Sequence, residues 1–303
     1  MADRLRPPRI GLALGAGGAR GWAHIGVIRA LKEAGIKPDI VCGTSMGALV
    51  GAAYAAGELE RLEGWARSLG WKDVLGLMDF TLRGGLIRGT RLFDFFRARV
   101  ADRDVAALPM PFAAVATELT TGREVWLREG SVFDVVRASI AIPGVFSPVL
   151  REGQLLVDGG LVNPVPVSLC RALGADIVIA VDLGWAKVGY FRERREAKSA
   201  PKPAREANDL AWWERVLRLA AVGKEEPPDS MPSVLTVFLT SIDVMQVRIG
   251  RSRQAGDPAD ALVVPILPSI GMMDWHRAAE VVDEGYAAAE RMRPMLEHLL
   301  GKF

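Results

Sequence analysis

Apolar positions in the first sixty residues alternate twice between a short continuous run and a helical spacing. Ile10–Leu14 is the first run, and Trp22–Ala34 then repeats apolar residues with helical periodicity until Gly35, a residue that commonly ends helices. Asp39–Cys42 is the second run, and a helix of small residues follows it as far as Gly57. Two strand–helix units in succession predict a parallel sheet covered by helices.

The same kind of pattern continues along the rest of the chain, except in Gly64–Val100, where large apolar residues follow no clean period. Further strands are predicted at Phe112–Thr117, Glu124–Leu127, Gln154–Val157, Asp176–Leu183 and Ala261–Leu267. Further helices are predicted at Ser131–Ser139, Asp209–Val222, Val234–Arg248 and His276–Leu299. We interpret residues 1–303 as one α/β domain with its core at about 10–185 and 231–300, interrupted by an insertion at 186–230.

The insertion has its own composition. In Lys187–Glu206 seven basic residues accompany three acidic ones, and proline pairs flank the predicted helix Asp209–Val222, which carries Trp212 and Trp213. This helix could dock with the basic stretch on anionic lipid headgroups, so that 187–222 contacts a membrane surface, or it could pack on the body of the protein. The apolar stretch Leu75–Leu92 has two similar interpretations, as an acyl-chain gate or as a cover for the core.

Charge and composition exclude several classes of protein. The formal net charge of +2 over 303 residues lacks the concentrated basic excess of nucleic-acid-binding proteins. Cys42 and Cys170 lie in apolar surroundings without metal-ligand spacing, which predicts buried free thiols. Met1–Arg9 is not followed by the apolar region of a secretory signal, and no apolar run approaches the ~18 residues of a spanning helix. These features predict a cytoplasmic protein that could contact a membrane only peripherally, at its inner face, and they carry no indication of an oligomeric state.

The pattern Gly-x-Ser-x-Gly at Gly43–Gly47 is the strongest chemical signal in the chain. A serine on a tight strand-to-helix turn exposes its hydroxyl in a strained backbone conformation, and glycines on both sides avoid collisions with neighbouring elements. The following helix directs its N-terminal dipole towards a developing oxyanion. Because the match falls on a predicted strand–turn–helix, we interpret Ser45 as a nucleophile; the alternative is a glycine-rich packing turn.

The earlier cluster Gly15–Gly21 also follows a strand and opens a helix. It resembles a dinucleotide fingerprint, but Arg20 occupies the position of the third glycine. Consecutive glycine amides can instead point at an oxyanion, with Arg20 adding a positive charge nearby. Phosphate binding and plain packing remain open for this loop alone.

A serine nucleophile needs a base, and an aspartate is the better candidate than the three histidines. His24 falls in the first predicted helix, and neither His276 nor His298 follows a strand, where catalytic groups usually lie. Asp158 ends an apolar run and precedes Gly159-Gly160, so a carboxylate could accept the serine proton directly. An Asp-Gly hairpin turn is an equally good interpretation of the same residues.

Four segments together resemble the patatin-like phospholipases, in the bacterial branch related to neuropathy-target-esterase-type esterases. They are Gly17-Gly18-Ala19-Arg20-Gly21 with Ala23-His24-Ile25-Gly26-Val27, Gly43-Thr44-Ser45-Met46-Gly47-Ala48, Ala138–Phe146, and Val157-Asp158-Gly159-Gly160-Leu161. The resemblance implies a three-layer α/β/α sandwich with a mostly parallel central sheet, and chemistry without a metal or organic cofactor. It also implies the following site: catalytic Ser45 and Asp158; an oxyanion hole from Gly17, Gly18, Arg20 and Gly21; an elbow at Gly43 and Gly47; and a DGG motif completed by Gly159 and Gly160.

One departure concerns the oxyanion loop, where the family often has three consecutive glycines and this chain has Gly15-Ala16-Gly17-Gly18. Alanine has a backbone N–H as glycine does, so the loop keeps the same number of backbone hydrogen-bond donors. The expected function is hydrolysis of fatty-acyl esters of phospholipids or lysophospholipids. The alternatives are an acyltransferase that uses the same site, a non-catalytic lipid-binding regulatory protein, and a nucleotide-binding module.

Overall fold

A mixed eight-stranded sheet forms the centre of the molecule. The computed structural model describes residues 6–70, 72–73, 102–184 and 234–301. The strands are β1 (Ile10–Leu14), β2 (Ile40–Thr44), β3 (Phe112–Glu118), β4 (Glu124–Leu127), β5 (Val149–Arg151), β6 (Gln154–Asp158), β7 (Ile177–Val181) and β8 (Ala261–Val263). The α-helices in this part of the chain are α1 (Ala23–Glu33), α2 (Met46–Ala55), α3 (Leu59–Ser68), α4 (Val132–Ser139), α5 (Val167–Ala172), α6 (Val234–Gly256) and α7 (Ala278–Leu299).

The strand order is β5-β6-β3-β2-β1-β7-β8, and β4 also pairs with β3. The four pairings among β3, β2, β1, β7 and β8 are parallel, whereas β4, β5 and β6 join through antiparallel pairings. The carboxyl ends of β1 and β2 therefore meet at one edge of the sheet, and each is followed by a glycine-containing turn. In a parallel sheet this edge is where ligands bind.

Alternate residues of the strands belong to two separate hydrophobic clusters, as expected for a sheet that is covered on both faces. Leu12 and Leu14 of β1 pack in the larger cluster with α1, α2, α6 and α7. Ala13 of β1 packs in the smaller one, together with Cys170 of α5. The three-layer α/β/α arrangement expected for the chain is therefore confirmed, and both cysteines are free and buried as predicted.

Several element bounds differ from the sequence-based predictions. The helix predicted at Val234–Arg248 continues to Gly256, and Gly250 lies inside it although glycine is a weak helix former. Strand β8 ends at Val263 rather than Leu267, since Pro265 has no N–H for a ladder. A 3-10 helix, Gly18–Trp22, precedes α1. The elements α3, α5 and β5 were not predicted.

Two predicted segments, Leu75–Leu92 and the insertion at 186–230 with its helix Asp209–Val222, lie outside the described residues. Membrane contact through 187–222 and the single-domain assignment therefore stay predictions, although β8 from beyond the insertion pairs with β7 from before it. Within the described ranges, no helix combines the length and the hydropathy needed to cross a bilayer.

Candidate active site

Ser45 stands on a sharp turn between β2 and α2, with backbone angles φ 56° and ψ −123°. Few residues other than glycine adopt a positive φ, so the turn is strained. A side chain at Gly43 would collide with the backbone of Gly47, and one at Gly47 would collide with the carbonyl of Leu14. The spacing of the two glycines thus follows from close backbone contacts on both sides of Ser45, as expected for a nucleophile elbow.

The strained turn is held by a buried hydroxyl from another helix. The N–H of Ser45 donates to Oγ of Ser139, at the end of α4, over 2.9 Å. The Ser139 hydroxyl in turn donates to the carbonyl of Val115 in β3 over 2.7 Å. Ser139 is fully buried. The backbone of Ser45 is therefore fixed relative to both α4 and β3.

Asp158, the last residue of β6, meets Ser45 although 113 positions separate them in the chain. The Ser45 hydroxyl donates to Oδ2 of Asp158 over 2.6 Å, and both side chains are buried. The other carboxylate oxygen, Oδ1, accepts the N–H of Gly160 over 2.7 Å. Asp158 leads into a short 3-10 helix, Gly159–Leu161, and not into a hairpin. A carboxylate oxygen is thus positioned to take the serine proton.

The surroundings of Asp158 raise its proton affinity. Burial raises the pKa of this carboxyl from 3.8 to about 6, against the opposing effect of the hydrogen bonds from Ser45 and the Gly160 amide. The cause is that a buried carboxylate loses the solvation that water would give its charge. The group is still mostly ionised at neutral pH, and it binds a proton more readily than an exposed aspartate. Both properties suit a general base.

The glycine loop, Gly15–Gly21 after β1, is held in place by backbone hydrogen bonds to three other segments. The N–H of Gly15 donates to Val181, that of Ala16 to Pro164 and that of Ala19 to Met272, each within 3.0 Å of a backbone oxygen. The N–H groups of Gly17 and Gly18 meet no acceptor among the described residues. A Cβ at Gly18, where φ is +57°, would lie 2.6 Å from the Met272 carbonyl, so only glycine fits. Two adjacent amides thus remain free to bind an anion.

The loop lies against the first turn of α2. A Cβ at Gly47 would come within 2.8 Å of the Gly15 carbonyl, and a Cβ at Gly21 would collide with the side chain of Met46. The amide of Met46, the first of α2, follows Ser45 directly in the chain. The glycine loop therefore packs against the first turn of α2, which begins directly after Ser45. Gly21 is the residue that permits this close approach.

Arg20 is almost completely buried, and its guanidinium contacts protein groups. Nε donates to the carbonyl of Gly17 over 3.0 Å, and Nη2 forms an ion pair of 2.7 Å with Asp243 of α6. Nη1 has no hydrogen-bond partner among the described residues. Burial lowers the pKa of Arg20 to about 10, which the charge of Asp182 partly offsets, so the side chain stays cationic at neutral pH.

The three histidines occupy other positions. His24 in α1 is fully buried, with Nε2 2.7 Å from the Gly15 carbonyl; since a carbonyl only accepts, Nε2 carries the hydrogen. Burial lowers the pKa of His24 to about 4, against the effect of the Gly15 hydrogen bond, so the ring is neutral and braces the glycine loop. His276 lies in the 3-10 helix Trp275–Arg277, and His298 lies in the last turn of α7.

Glycines 159 and 160 allow two close approaches. A Cβ at Gly159 would collide with the carbonyl of Val115, and one at Gly160 would collide with the side-chain amide of Gln246 in α6. Gln246 follows Asp243 by one helical turn, so one face of α6 touches both the glycine loop and the turn after Asp158.

Sequence reasoning assigned no role to Ser139, His24 or Asp243. A signal exists for Asp243, which is the only charged residue in the first fourteen positions of α6 and so stands out in an apolar helix. Ser139 and His24 lie within segments that resemble the family, but their partners are backbone carbonyls and amides, which carry no sequence signal. Among the described residues, no cluster of three or more His, Cys, Asp or Glu side chains could hold a metal ion.

Comparison with known proteins finds a family profile that spans this part of the chain. The family profile described as patatin-like phospholipase matches residues 12–171, a stretch that contains the glycine loop, Ser45 and Asp158. An uncharacterized NTE family protein of Mycobacterium tuberculosis is 35% identical over 325 aligned residues, which cover 93% of this chain and 90% of the relative.

Two eukaryotic relatives are much longer than this chain. The human patatin-like phospholipase domain-containing protein 6 is 36% identical over 193 residues, or 61% of this chain and 14% of that protein. The lysophospholipase nte1 of Aspergillus fumigatus is 36% identical over 196 residues, or 61% of this chain and 12% of that protein. The shared region is therefore one segment of each of these two proteins.

Proposed function

The chain belongs to the patatin-like phospholipase family and has its fold, and on this premise we propose that it hydrolyses fatty-acyl esters of phospholipids or lysophospholipids through a Ser45–Asp158 dyad. Family membership supports a lipid ester hydrolase. The observation that carries the dyad is the 2.6 Å hydrogen bond from the Ser45 hydroxyl to Asp158. A separation in this range is what direct proton transfer from a nucleophile to its base requires.

The first half of the proposed reaction acylates Ser45. Asp158 takes the hydroxyl proton while Oγ forms a bond to the ester carbonyl carbon, and the carbonyl oxygen becomes an oxyanion. The free N–H groups of Gly17 and Gly18 stabilise this charge, together with the N-terminus of α2. The bond from carbon to the alcohol oxygen then breaks, and Asp158 returns the proton to the leaving lysophospholipid or glycerol-phosphate alcohol.

The second half releases the fatty acid. Water attacks the acyl carbon and gives its proton to Asp158, and the tetrahedral anion again lies against the two glycine amides. Collapse of this anion breaks the bond to Oγ, and Asp158 returns the proton to Ser45. Asp158 alone moves the proton in both halves, so the cycle needs no histidine.

Ester hydrolysis by wild type and by Ser45→Ala tests the proposal. A panel of phospholipids, lysophospholipids and simple acyl esters is assayed for released fatty acid, with an alcohol acceptor added in parallel to detect acyl transfer. We expect hydrolysis by wild type and none by Ser45→Ala. Ser131→Ala is a matched control, because the Ser131 hydroxyl caps the N-terminus of α4 and donates to Asp102, both away from Ser45; it should retain full activity.

A fluorophosphonate probe provides a second readout that does not depend on the choice of lipid. We expect one adduct per chain at Ser45, located by peptide mass spectrometry. Absence of labelling at Ser45, or hydrolysis by Ser45→Ala, would contradict the proposal. Ester products in place of free acid would identify an acyltransferase.

A further inference from the structure

A buried ion pair connects the glycine loop to helix α6. Arg20 bridges the two elements, with Nε on the Gly17 carbonyl at 3.0 Å and Nη2 on Oδ1 of Asp243 at 2.7 Å. The side chains of Arg20 and Asp243 are only 2% and 10% exposed. The residues are 223 positions apart, so the pair is a tertiary contact rather than a local one.

The contact with Gly17 sets the orientation of one peptide plane. In a trans peptide the C=O and the N–H point in opposite directions, so the Gly17 carbonyl and the Gly18 N–H move together. Arg20 holds that carbonyl through Nε and, over 3.3 Å, through its own backbone N–H. Since the carbonyl faces Arg20, the Gly18 N–H faces away from it, and this is one of the two amides that meet no acceptor among the described residues.

From this arrangement we infer that Asp243 is a positioning residue for the oxyanion hole: it holds the Arg20 guanidinium so that Arg20 orients the Gly17–Gly18 peptide. Arg20 thus acts on the oxyanion hole through the Gly17 carbonyl, and its Nε and Nη2 atoms donate to protein acceptors. The kinetic part of the inference rests on the proposed hydrolase function, whereas the orientation of the peptide does not.

A competing acid makes Asp243 necessary. Asp182, which follows β7, also faces Arg20 closely enough for its charge to act on it, and its own Oδ1 accepts the N–H of Gly184 over 2.8 Å. Without a carboxylate at 243, Asp182 is the remaining described anion near the guanidinium. Movement of Arg20 towards Asp182 would draw Nε off the Gly17 carbonyl and release the peptide.

Two variants separate positioning from stability. Asp243→Asn keeps the shape of the side chain and removes its charge. The double variant Arg20→Met with Asp243→Leu removes both charges, and such replacements of a buried ion pair often preserve or restore stability. Asp283→Asn is the matched control, because Asp283 pairs with Arg67 over 2.7 Å on the surface and is 64% exposed.

The first readout is the amide signal of Gly18 in ¹⁵N-labelled protein, with Gly57 in an open surface turn as internal reference. We expect the Gly18 signal to shift or broaden in Asp243→Asn and in the double variant, and the Gly57 signal to stay in place. An unchanged Gly18 signal in folded Asp243→Asn would overturn the inference. This readout decides the question even if wild type proves to hydrolyse no ester, which would refute the proposed function separately.

The second readout is steady-state kinetics beside the melting temperature. Loss of one oxyanion donor typically lowers kcat by about 10²–10³-fold, so a misdirected donor should lower it by about 10- to 100-fold with KM nearly unchanged. The double variant should regain the melting temperature but not the kcat, and Asp283→Asn should match wild type. If kcat returns together with stability in the double variant, the pair is merely structural and the inference is wrong.

Discussion

Two buried aspartates of this molecule differ in the charge of their partners. Asp158 accepts hydrogen bonds from a hydroxyl and a backbone amide, both neutral, and within the described chain it joins no ion pair. Asp243 faces the full positive charge of Arg20 at 2.7 Å. Neutral donors leave a buried carboxyl with a raised proton affinity, whereas a cation beside it favours the ionised form. The first environment suits an acid that exchanges protons, and the second suits one that holds a neighbour in place.

The largest effect should come from removing the proton acceptor. Asp158→Asn keeps the shape of the side chain, but its amide has one acceptor oxygen where the carboxylate has two, and that oxygen is not basic, so kcat/KM should fall by about 10²–10⁴-fold. Steady-state ester hydrolysis measures this, and Asp176→Asn, a surface acid paired with Arg6, is the control. Activity within tenfold of wild type would move the base elsewhere, and His276 and His298 would be tested next.

The two aspartates should have opposite effects on stability. The folded protein binds a proton at Asp158 with a pKa of about 6, against 3.8 for the ordinary carboxyl. As the pH rises through this window, the folded state loses a proton that the unfolded state has already lost, so ionised Asp158 destabilises the fold. Above pH 6 the cost is ~3 kcal/mol, and it disappears near pH 4.

Asp158→Asn should therefore raise the free energy of unfolding at pH 8 and change it little at pH 4. Asp243→Asn leaves a buried guanidinium without its ion pair and should lower the free energy of unfolding by about 3–5 kcal/mol. Urea titrations of the three proteins at both pH values measure these differences. Destabilisation by both variants at pH 8 would contradict the expectation that ionised Asp158 lowers the stability of the fold while ionised Asp243 raises it.

The pH profile of the reaction should report Asp158 alone. Hydrolysis requires the ionised carboxylate, so kcat/KM should fall about tenfold per pH unit below about pH 6 and level off above it. Asp243→Asn should be slower at every pH with the same midpoint, because Asp243 takes no part in proton transfer. Circular dichroism at each pH controls for unfolding. A flat wild-type profile down to pH 4 would contradict a base whose pKa is raised to about 6.

The sequence could predict those parts of the site whose structure depends on residues close together in the chain. Gly43 and Gly47 avoid collisions within one turn, and the strand–turn–helix around Ser45 follows from apolar periodicity. The residues alone made Asp158 a candidate base, but its contact with Ser45 spans 113 positions, so an Asp-Gly turn stayed an equally good interpretation without the resemblance to a family. Asp243 stands out in the sequence as a charged residue in an apolar helix, but its role could not be predicted, because that role depends on where α6 crosses the glycine loop.

The overall fold shows the same division. The units β1–α1 and β2–α2 were predicted because each joins a continuous apolar run to a helical period. Helix α3 was missed because it is only ten residues long and its second half falls in Gly64–Val100, where the apolar residues follow no clean period, although Leu59, Leu62 and Ala66 are buried at helical spacing. Strand β5 pairs with the adjacent strand β6, but it is only three residues long. Three residues are too few to show an apolar period, so β5 was not predicted.

The smallest expected effect concerns a residue that positions by a neutral hydrogen bond. Ser139→Ala removes the acceptor of the buried Ser45 N–H, which should cost about 1–3 kcal/mol of stability. The strained turn keeps its two glycine contacts, so kcat should fall only about tenfold, less than in Asp243→Asn. Ser131→Ala at the other end of α4 should lose about 1 kcal/mol with the helix cap and keep the wild-type kcat. Kinetics and urea titrations of both variants measure these effects. A larger loss of kcat in Ser139→Ala than in Asp243→Asn would mean that the Ser45 turn depends more on Ser139 than the glycine loop depends on Asp243.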